Sequence, residues 1–272
     1  MSLEGRVAIV TGAGTLGEGV GVGKAISITL AKAGAKLVLL DLDKDRVAET
    51  ERLVAGEGAE ALVCLGNVVD PADCERVIGE AVDAFGTVDI LVNSAAASIP
   101  GSVVTLTDEE WATMLDVCLM GAVRMSRFAV PVMQRQHRGA IVNISSIATR
   151  ISLRTAAYAA AKAGLEALTR DLAVQHGRDG IRANAVLPGL ISTPRTARIA
   201  PATQVMTDQS LRKAAGPLGI EGNAWDVAWA VDYLVSDRAR FVTGVCLPLD
   251  GGVLATTYMT MASVIEQERT QR

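Results

Sequence analysis

Tyr158 and Lys162, in the run Tyr-Ala-Ala-Ala-Lys, are the side chains best suited to do chemistry. Their i,i+4 spacing sets both on one face of a helix. A phenol of ordinary acidity is a poor base near neutral pH. An ammonium about 4 Å away, at an effective dielectric of ~20, favours the phenolate by roughly 4 kcal/mol, and burial opposes part of that gain. A tyrosine so assisted can trade a proton with an alcohol or carbonyl oxygen. A serine hydroxyl would hold that oxygen, and Asn143-Ile144-Ser145-Ser146 lies just upstream. The matching hydride is the work of a nicotinamide cofactor.

The cofactor needs a phosphate cradle. The apolar run Val7–Val10 leads into Thr11-Gly12-Ala13-Gly14-Thr15-Leu16-Gly17-Glu18-Gly19-Val20-Gly21-Val22-Gly23. A strand, a glycine turn and a helix together set phosphate against backbone amides at the helix start. Gly12, Gly14 and Gly17 satisfy GxGxxG, but three more glycines follow, and each costs about 1 kcal/mol inside a helix. Helical spacing begins only near Val22. The working glycines are therefore expected to be Gly12 at the turn and Gly21 and Gly23 around Val22. The second strand ends at Asp41, whose carboxylate can accept the adenosine ribose hydroxyls and repel a 2′-phosphate, which favours NAD over NADP.

Further short apolar runs occur at Leu37–Leu40, Ala61–Leu65, Ile90–Val92, Ala140–Ile144, Ala183–Leu187 and Val245–Leu249. Stretches of helical spacing separate most of them, including Asp45–Glu57 and Ala72–Phe85. Thr107-Asp108-Glu109-Glu110 matches a capping box opening one long helix, in which Pro131 marks a bend or boundary. Continuous apolar strands alternating with helices predict an α/β fold, a doubly wound parallel sheet (Rossmann fold) in three layers and a single domain. The expected catalytic domain is 1–252, with an irregular region at about 194–222 and a C-terminal extension over 253–272.

Composition excludes several alternatives. The net charge of −4 argues against nucleic acid held by bulk charge. Three each of Phe, Trp and Tyr make a poor base-stacking platform. The only histidines are His137 and His176, so a multi-histidine metal site is not available and no metal is expected. Cys64, Cys74, Cys118 and Cys246 have no metal-ligand spacing and read as small buried hydrophobes of a reducing compartment. The N-terminal apolar run is too short for a signal peptide, and no apolar stretch is long enough to span a membrane. The expectation is a cytoplasmic protein with a small-molecule partner.

The motifs, in order, resemble those of the short-chain dehydrogenase/reductases of about 250 residues, over nearly the whole chain. Thr11-Gly12 with Gly21-Val22-Gly23 resembles the TGxxxGIG turn, and Asp89–Ala96 resembles DxLVNNAG. Ser146, Tyr158 and Lys162 match the catalytic serine and YxxxK. Pro188-Gly189-Leu190-Ile191-Ser192-Thr193 matches PGxxxT, and Thr243-Gly244 with Asp250-Gly251-Gly252 matches TGxxxxxDGG. The resemblance implies NAD (NADH) and an alcohol or ketone substrate. It implies adenine contacts at Asn67 and Val68, cofactor contacts at Asn93 and Ala95, and nicotinamide contacts at Pro188, Gly189, Ile191 and Thr193. Tyr158 and Lys162 would also hold the nicotinamide ribose. Helices at about 108–134 and 156–177 resemble those that build the family's homotetramer, with a homodimer as the alternative.

Four departures stand out. The glycine turn is about five residues longer. Asn67 replaces an aspartate, and NNAG reads Asn93-Ser94-Ala95-Ala96. Ser146 lies one residue closer to Tyr158 than is common, which keeps Ser145 open as the catalytic serine. Cys118 stands where an asparagine usually supports a proton-relay water, a role a thiol serves poorly. Two other readings stay open: an NADP-dependent reductase of the 3-oxoacyl type, and a dinucleotide-binding regulator with weakened catalysis. The resemblance implies that the segment from Pro194 to Gly219, within the region at about 194–222, is the mobile lid, with Val205, Met206 and Leu211 as an apolar wall. Arg195, Arg198, Arg212 and Lys213 are candidates to meet an anion. Met259, Met261, Val264 and Ile265 of the extension could pack on a neighbouring subunit or over a pocket.

Overall fold

The computed structural model describes residues 3–199, 208–257 and 259–262. Val205, Met206, Val264 and Ile265 lie outside these residues. The strands are β1 (Val7–Thr11), β2 (Lys36–Asp41), β3 (Ala61–Leu65), β4 (Ile90–Asn93), β5 (Gly139–Ile144), β6 (Ile181–Pro188), β7 (Ile191–Ser192), β8 (Gly222–Asn223) and β9 (Cys246–Leu249). Seven of them form one sheet in the order β3-β2-β1-β4-β5-β6-β9. Every pairing in it is parallel. β7 and β8 make a separate two-stranded pair.

Strand side chains alternate between two cores, because successive residues face opposite sides. Ala8, Val10, Leu37 and Leu39 pack with α1 (Val22–Lys32) and with the helix Ala224–Val235. Val7, Ile9, Val38 and Leu40 pack on the other face with α3 (Pro71–Phe85) and α5 (Gly121–Arg135). Both faces are covered, as the continuous apolar strands predict. α2 (Lys44–Gly56) and α4 (Asp108–Leu115) precede α3 and α5 in turn. α6 (Ala156–His176) carries the Tyr-Lys pair, α7 (Pro194–Ile199) and α8 (Gln209–Ala214) follow β7, and Ala224–Val235 is α9.

The helix starts follow the local sequence. Asp70 caps α3 with Pro71 next to it, and Gly86 ends that helix in the left-handed conformation. Thr107 and Glu110 close the predicted capping box on α4. The expected single long helix is instead broken. Asp116–Met120 forms a π-helical segment between α4 and α5, and α5 continues through Pro131 to Arg135. A π turn inserts one extra residue per turn and often marks a functional site; this one holds Cys118. Among the described residues the expected lid contains two short helices, α7 and α8, and the β7–β8 pair joins Ile191 to Gly222. Among the described residues no helix is long and apolar enough to cross a membrane.

Candidate active site

All seven strands of the main sheet are parallel, so their carboxyl ends share one edge, and the strand order reverses between β1 and β4. Ligands of doubly wound folds bind in the crevice outside such a reversal. A cleft of about 1180 Å³ opens there.

The phosphate end is built from backbone. α1 starts at Val22 with Gly21 as its N-cap, and no side chain caps it. Its leading amides are therefore free to meet an anion. Gly12 takes φ +65° and a Cβ there would lie 2.9 Å from Ala95 Cα, while a Cβ on Gly23 would lie 2.0 Å from Gly12 O. The turn is thus closed to any side chain at both positions. The residues inserted into it are pinned: the Thr15 amide donates to Arg46 O at 3.2 Å, and the Gly21 amide to Thr15 Oγ1 at 3.1 Å. Buried Lys24 ties Gly19 O to Glu49. Thr11 Oγ1 accepts the amides of Ser94 and Ala95, both at 3.0 Å, and so fixes the start of the loop after β4.

Asp41 ends β2 at the cleft. Oδ2 accepts the Gly14 amide at 2.8 Å and Oδ1 the Asp43 amide at 3.3 Å. Each carboxylate oxygen can accept more than one bond, so Asp41 keeps capacity for ribose hydroxyls. Asn67 and Val68 border the same end, as do Leu42 and Arg46. Arg46 pairs with Asp43 at 3.1 Å.

At the other end, Ser146, Tyr158 and Lys162 border the cleft together. Lys162 is 1% exposed, and its Nζ donates to Ile144 O at 2.6 Å. The same ammonium lies 5.6 Å from the centre of the Tyr158 ring. The two serines differ in how their hydroxyls are used. Ser145 is buried and its Oγ donates to Lys162 O at 3.2 Å, with Glu166 Oε1 at 3.4 Å. Ser146 Oγ accepts the Ala148 amide at 3.2 Å, and its own O–H has no protein acceptor among the described residues. The geometry favours Ser146 as the hydroxyl available to a substrate.

Pro188, Gly189, Ile191 and Thr193 border the cleft after β6, and Ala95 borders it from the loop after β4. Thr193 Oγ1 accepts the Thr196 amide at 3.2 Å and lies 2.7 Å from Thr196 Oγ1, so it also caps α7. Asn93 is the one expected cofactor contact that does not border the cleft. Its amide donates to Asn143 Oδ1 at 2.8 Å, and Asn143 donates to Thr169 Oγ1 at 2.9 Å. The register that sets Asn93 opposite Asn143 turns it to a small internal cavity of about 10 Å³ beside Cys118. Cys118 is buried, its thiol 3.4 Å from both the amide and the carbonyl of Ala97. It links the π segment to the loop after β4.

Sequence reasoning missed several groups. Thr11 and Thr15 are small hydroxyls whose use depends on tertiary neighbours. Arg154 takes φ +59°, and Thr155 Oγ1 is buried without a partner at the cleft wall. Arg195, already a candidate in the sequence, has its Nη2 buried without a partner among the described residues. Arg212, one of the candidates to meet an anion, pairs with Glu221.

The glycine turn, the uncapped α1 and Asp41 fit a dinucleotide. The sequence model of the family described as Enoyl-(Acyl carrier protein) reductase matches residues 17–254. An uncharacterized oxidoreductase of Schizosaccharomyces pombe is 34% identical, over 94% of this chain and 93% of that protein. The 3-oxoacyl-[acyl-carrier-protein] reductase FabG of Thermotoga maritima is 31% identical, over 93% and 100%. A structure described as a short-chain dehydrogenase/reductase of Burkholderia xenovorans superposes with a TM-score of 0.88 at 38% identity, over 94% of this chain and 98% of that one. The chain therefore belongs to the short-chain dehydrogenase/reductase family of oxidoreductases that bind a nicotinamide dinucleotide.

Proposed function

We propose that this chain is an NAD-dependent alcohol dehydrogenase/ketone reductase acting on secondary alcohols and ketones. The observation that carries the reading is the gathering of Ser146, Tyr158 and Lys162 at one end of the cleft whose other end holds Asp41. NAD, when bound along the glycine turn, supplies the hydride acceptor, and NADH the donor. The contacts to it are assigned to Gly12, Gly21, Val22, Gly23, Asp41, Asn67, Val68, Ala95, Pro188, Gly189, Ile191 and Thr193, with Tyr158 and Lys162 on its ribose.

The protein's own residues handle the proton. Lys162, held by Ile144 O, carries a desolvated positive charge beside the Tyr158 ring. That charge stabilises negative charge on the phenol oxygen. Tyr158 takes a proton from the substrate hydroxyl in oxidation and returns one to the carbonyl oxygen in reduction. The Ser146 O–H donates to that same oxygen and orients it. Residues 1–252 form the catalytic domain in this reading, with 253–272 as an extension. The assembly is a homotetramer or homodimer, and the compartment is the cytoplasm.

A second reading, an NADP-dependent 3-oxoacyl reductase, is favoured by the FabG relative. Asp41 weighs against it, because a carboxylate at the ribose repels a 2′-phosphate. The test is a panel of secondary alcohols, ketones and 3-oxoacyl thioesters followed by reduced-nicotinamide absorbance with each cofactor. Tyr158→Phe is expected to lower turnover by about 10²- to 10⁴-fold while retaining NADH binding by fluorescence. Comparable turnover in that variant removes the role given to Tyr158. A panel with no turnover overturns the reading.

A further inference from the structure

The chain carries a net charge of −4, yet its cleft is cationic. Among the described residues Arg46, Arg150, Arg154, Lys162 and Arg195 border it, against the single carboxylate of Asp41. Most of this charge is already committed. Arg46 pairs with Asp43, Arg150 with Glu166, and Lys162 with Ile144 O. Arg154 is exposed to solvent. Arg195 is different: its Nη2 is buried and has no hydrogen-bond partner among the described residues. A desolvated donor on a charged group is costly without an acceptor, and Arg195 borders the cleft. Its backbone is fixed by the Thr193–Thr196 hydroxyl pair and by Pro194. A guanidinium on a fixed turn suits two-point recognition of an oxyanion.

We infer that Arg195 is the specificity residue of the cleft, and that the substrate carries a carboxylate beside its reacting hydroxyl or carbonyl. The substrate class is then hydroxy acids and oxo acids. This rests on the oxidoreductase reading above and narrows it. Pro194 lies beside Gly19 of the extended turn, so the cofactor diphosphate is the competing anion, and the test separates the two.

The probes are hydroxycarboxylates, cyclic and linear, each paired with its methyl ester. Wild type, Arg195→Gln and Arg195→Lys are compared as full-length protein. NADH affinity is read by fluorescence, acid binding to the NAD-loaded protein by calorimetry, and turnover by NADH absorbance. The acid is expected to be preferred over its ester by at least about tenfold in the wild type. Arg195→Gln is expected to lower kcat/KM for the acid by roughly 30-fold or more, leave the ester and the NADH Kd within about twofold, and be partly rescued by Arg195→Lys. An NADH Kd that rises with the loss would assign Arg195 to the diphosphate and overturn the inference. So would an acid preference that survives in Arg195→Gln, or acids that neither bind nor react. Acid binding that needs Arg195 without any turnover upholds the inference while the oxidoreductase reading fails. Tyr158-dependent turnover of acids and esters alike does the reverse.

Discussion

The two ends of the cleft spend their polar groups differently. At the end lined by the glycine turn and Asp41, hydrogen bonds close on themselves. Asp41 takes the Gly14 amide, Thr15 joins Arg46 to Gly21, and Thr50 Oγ1 donates to Ala13 O at 2.9 Å. At the end lined by Ser146 and Tyr158, Thr155 Oγ1 and Arg195 Nη2 are buried without partners among the described residues, and the Ser146 O–H is unspent. The side chains of the first end are largely tied up by the fold, and the second keeps donors that the fold leaves unmatched. Buried polar groups normally find partners within the protein, so the ones that do not are where recognition is to be sought.

Ser145 and Ser146 test this contrast most sharply. Ser146→Ala is expected to lower kcat/KM about 100-fold, the scale of losing one donor to a reacting oxygen. Ser145→Ala should leave turnover within about threefold and cost about 1 kcal/mol of stability, the value of one buried hydrogen bond. Steady-state rates and thermal melts decide it, and the reverse pattern would exchange the two roles. Next in size is Asp41→Asn, which keeps an acceptor for Gly14 but removes the charge. NAD affinity should fall about tenfold and NADP affinity rise; unchanged discrimination would move cofactor choice elsewhere.

Smaller effects probe groups committed to the fold. Cys64 is buried and its Sγ lies 3.1 Å from Glu80 Oε2. Burial first, and the Glu80 carboxylate second, push its thiol up to about 12 from an ordinary value of 9.0. Between those values the native chain keeps a proton that the unfolded chain has lost. Stability therefore falls as pH rises from 9.0 towards 12, at about 1.4 kcal/mol per pH unit once the unfolded thiol is ionised. Melting temperatures between pH 8 and 10 should fall less steeply in Cys64→Ala. The smallest change is expected of Cys118→Asn. An asparagine amide can both donate to and accept from Ala97, as the thiol does. NAD affinity should stay constant and turnover be preserved or rise up to about threefold. A large loss in a folded variant would show that the thiol does more than join the π segment to its neighbour.

The parts legible in the sequence are those governed by local rules. The glycine run, the Thr107–Glu110 box and the strand alternation depend on backbone sterics, capping and burial, and they foretold β1, the start of α1 at Val22 and the parallel sheet. Tyr158 and Lys162 were legible because four residues span one helical turn. The π segment was not, since Asp116-Val117-Cys118-Leu119-Met120 contains no glycine or proline and fits α-helical spacing equally well. That the Asn93 side chain turns to Asn143 and not to the cleft was not legible either, because it depends on the register between β4 and β5. Arg195 and Arg212 look alike in sequence. Glu221 neutralises one, and no described residue accepts from the buried nitrogen of the other, a distinction that only tertiary contacts make.

The parallel sheet has a practical consequence for redesign. Asp41, Ser146 and Arg195 sit at strand ends or on the connections that follow, outside the two packed cores on the sheet faces. Binding preference and fold stability are therefore largely separable under mutation. A library confined to residues 98–103, 150–155 and 194–196 can vary what the cleft accepts while leaving the sheet, and the Tyr158–Lys162 pair, as they are.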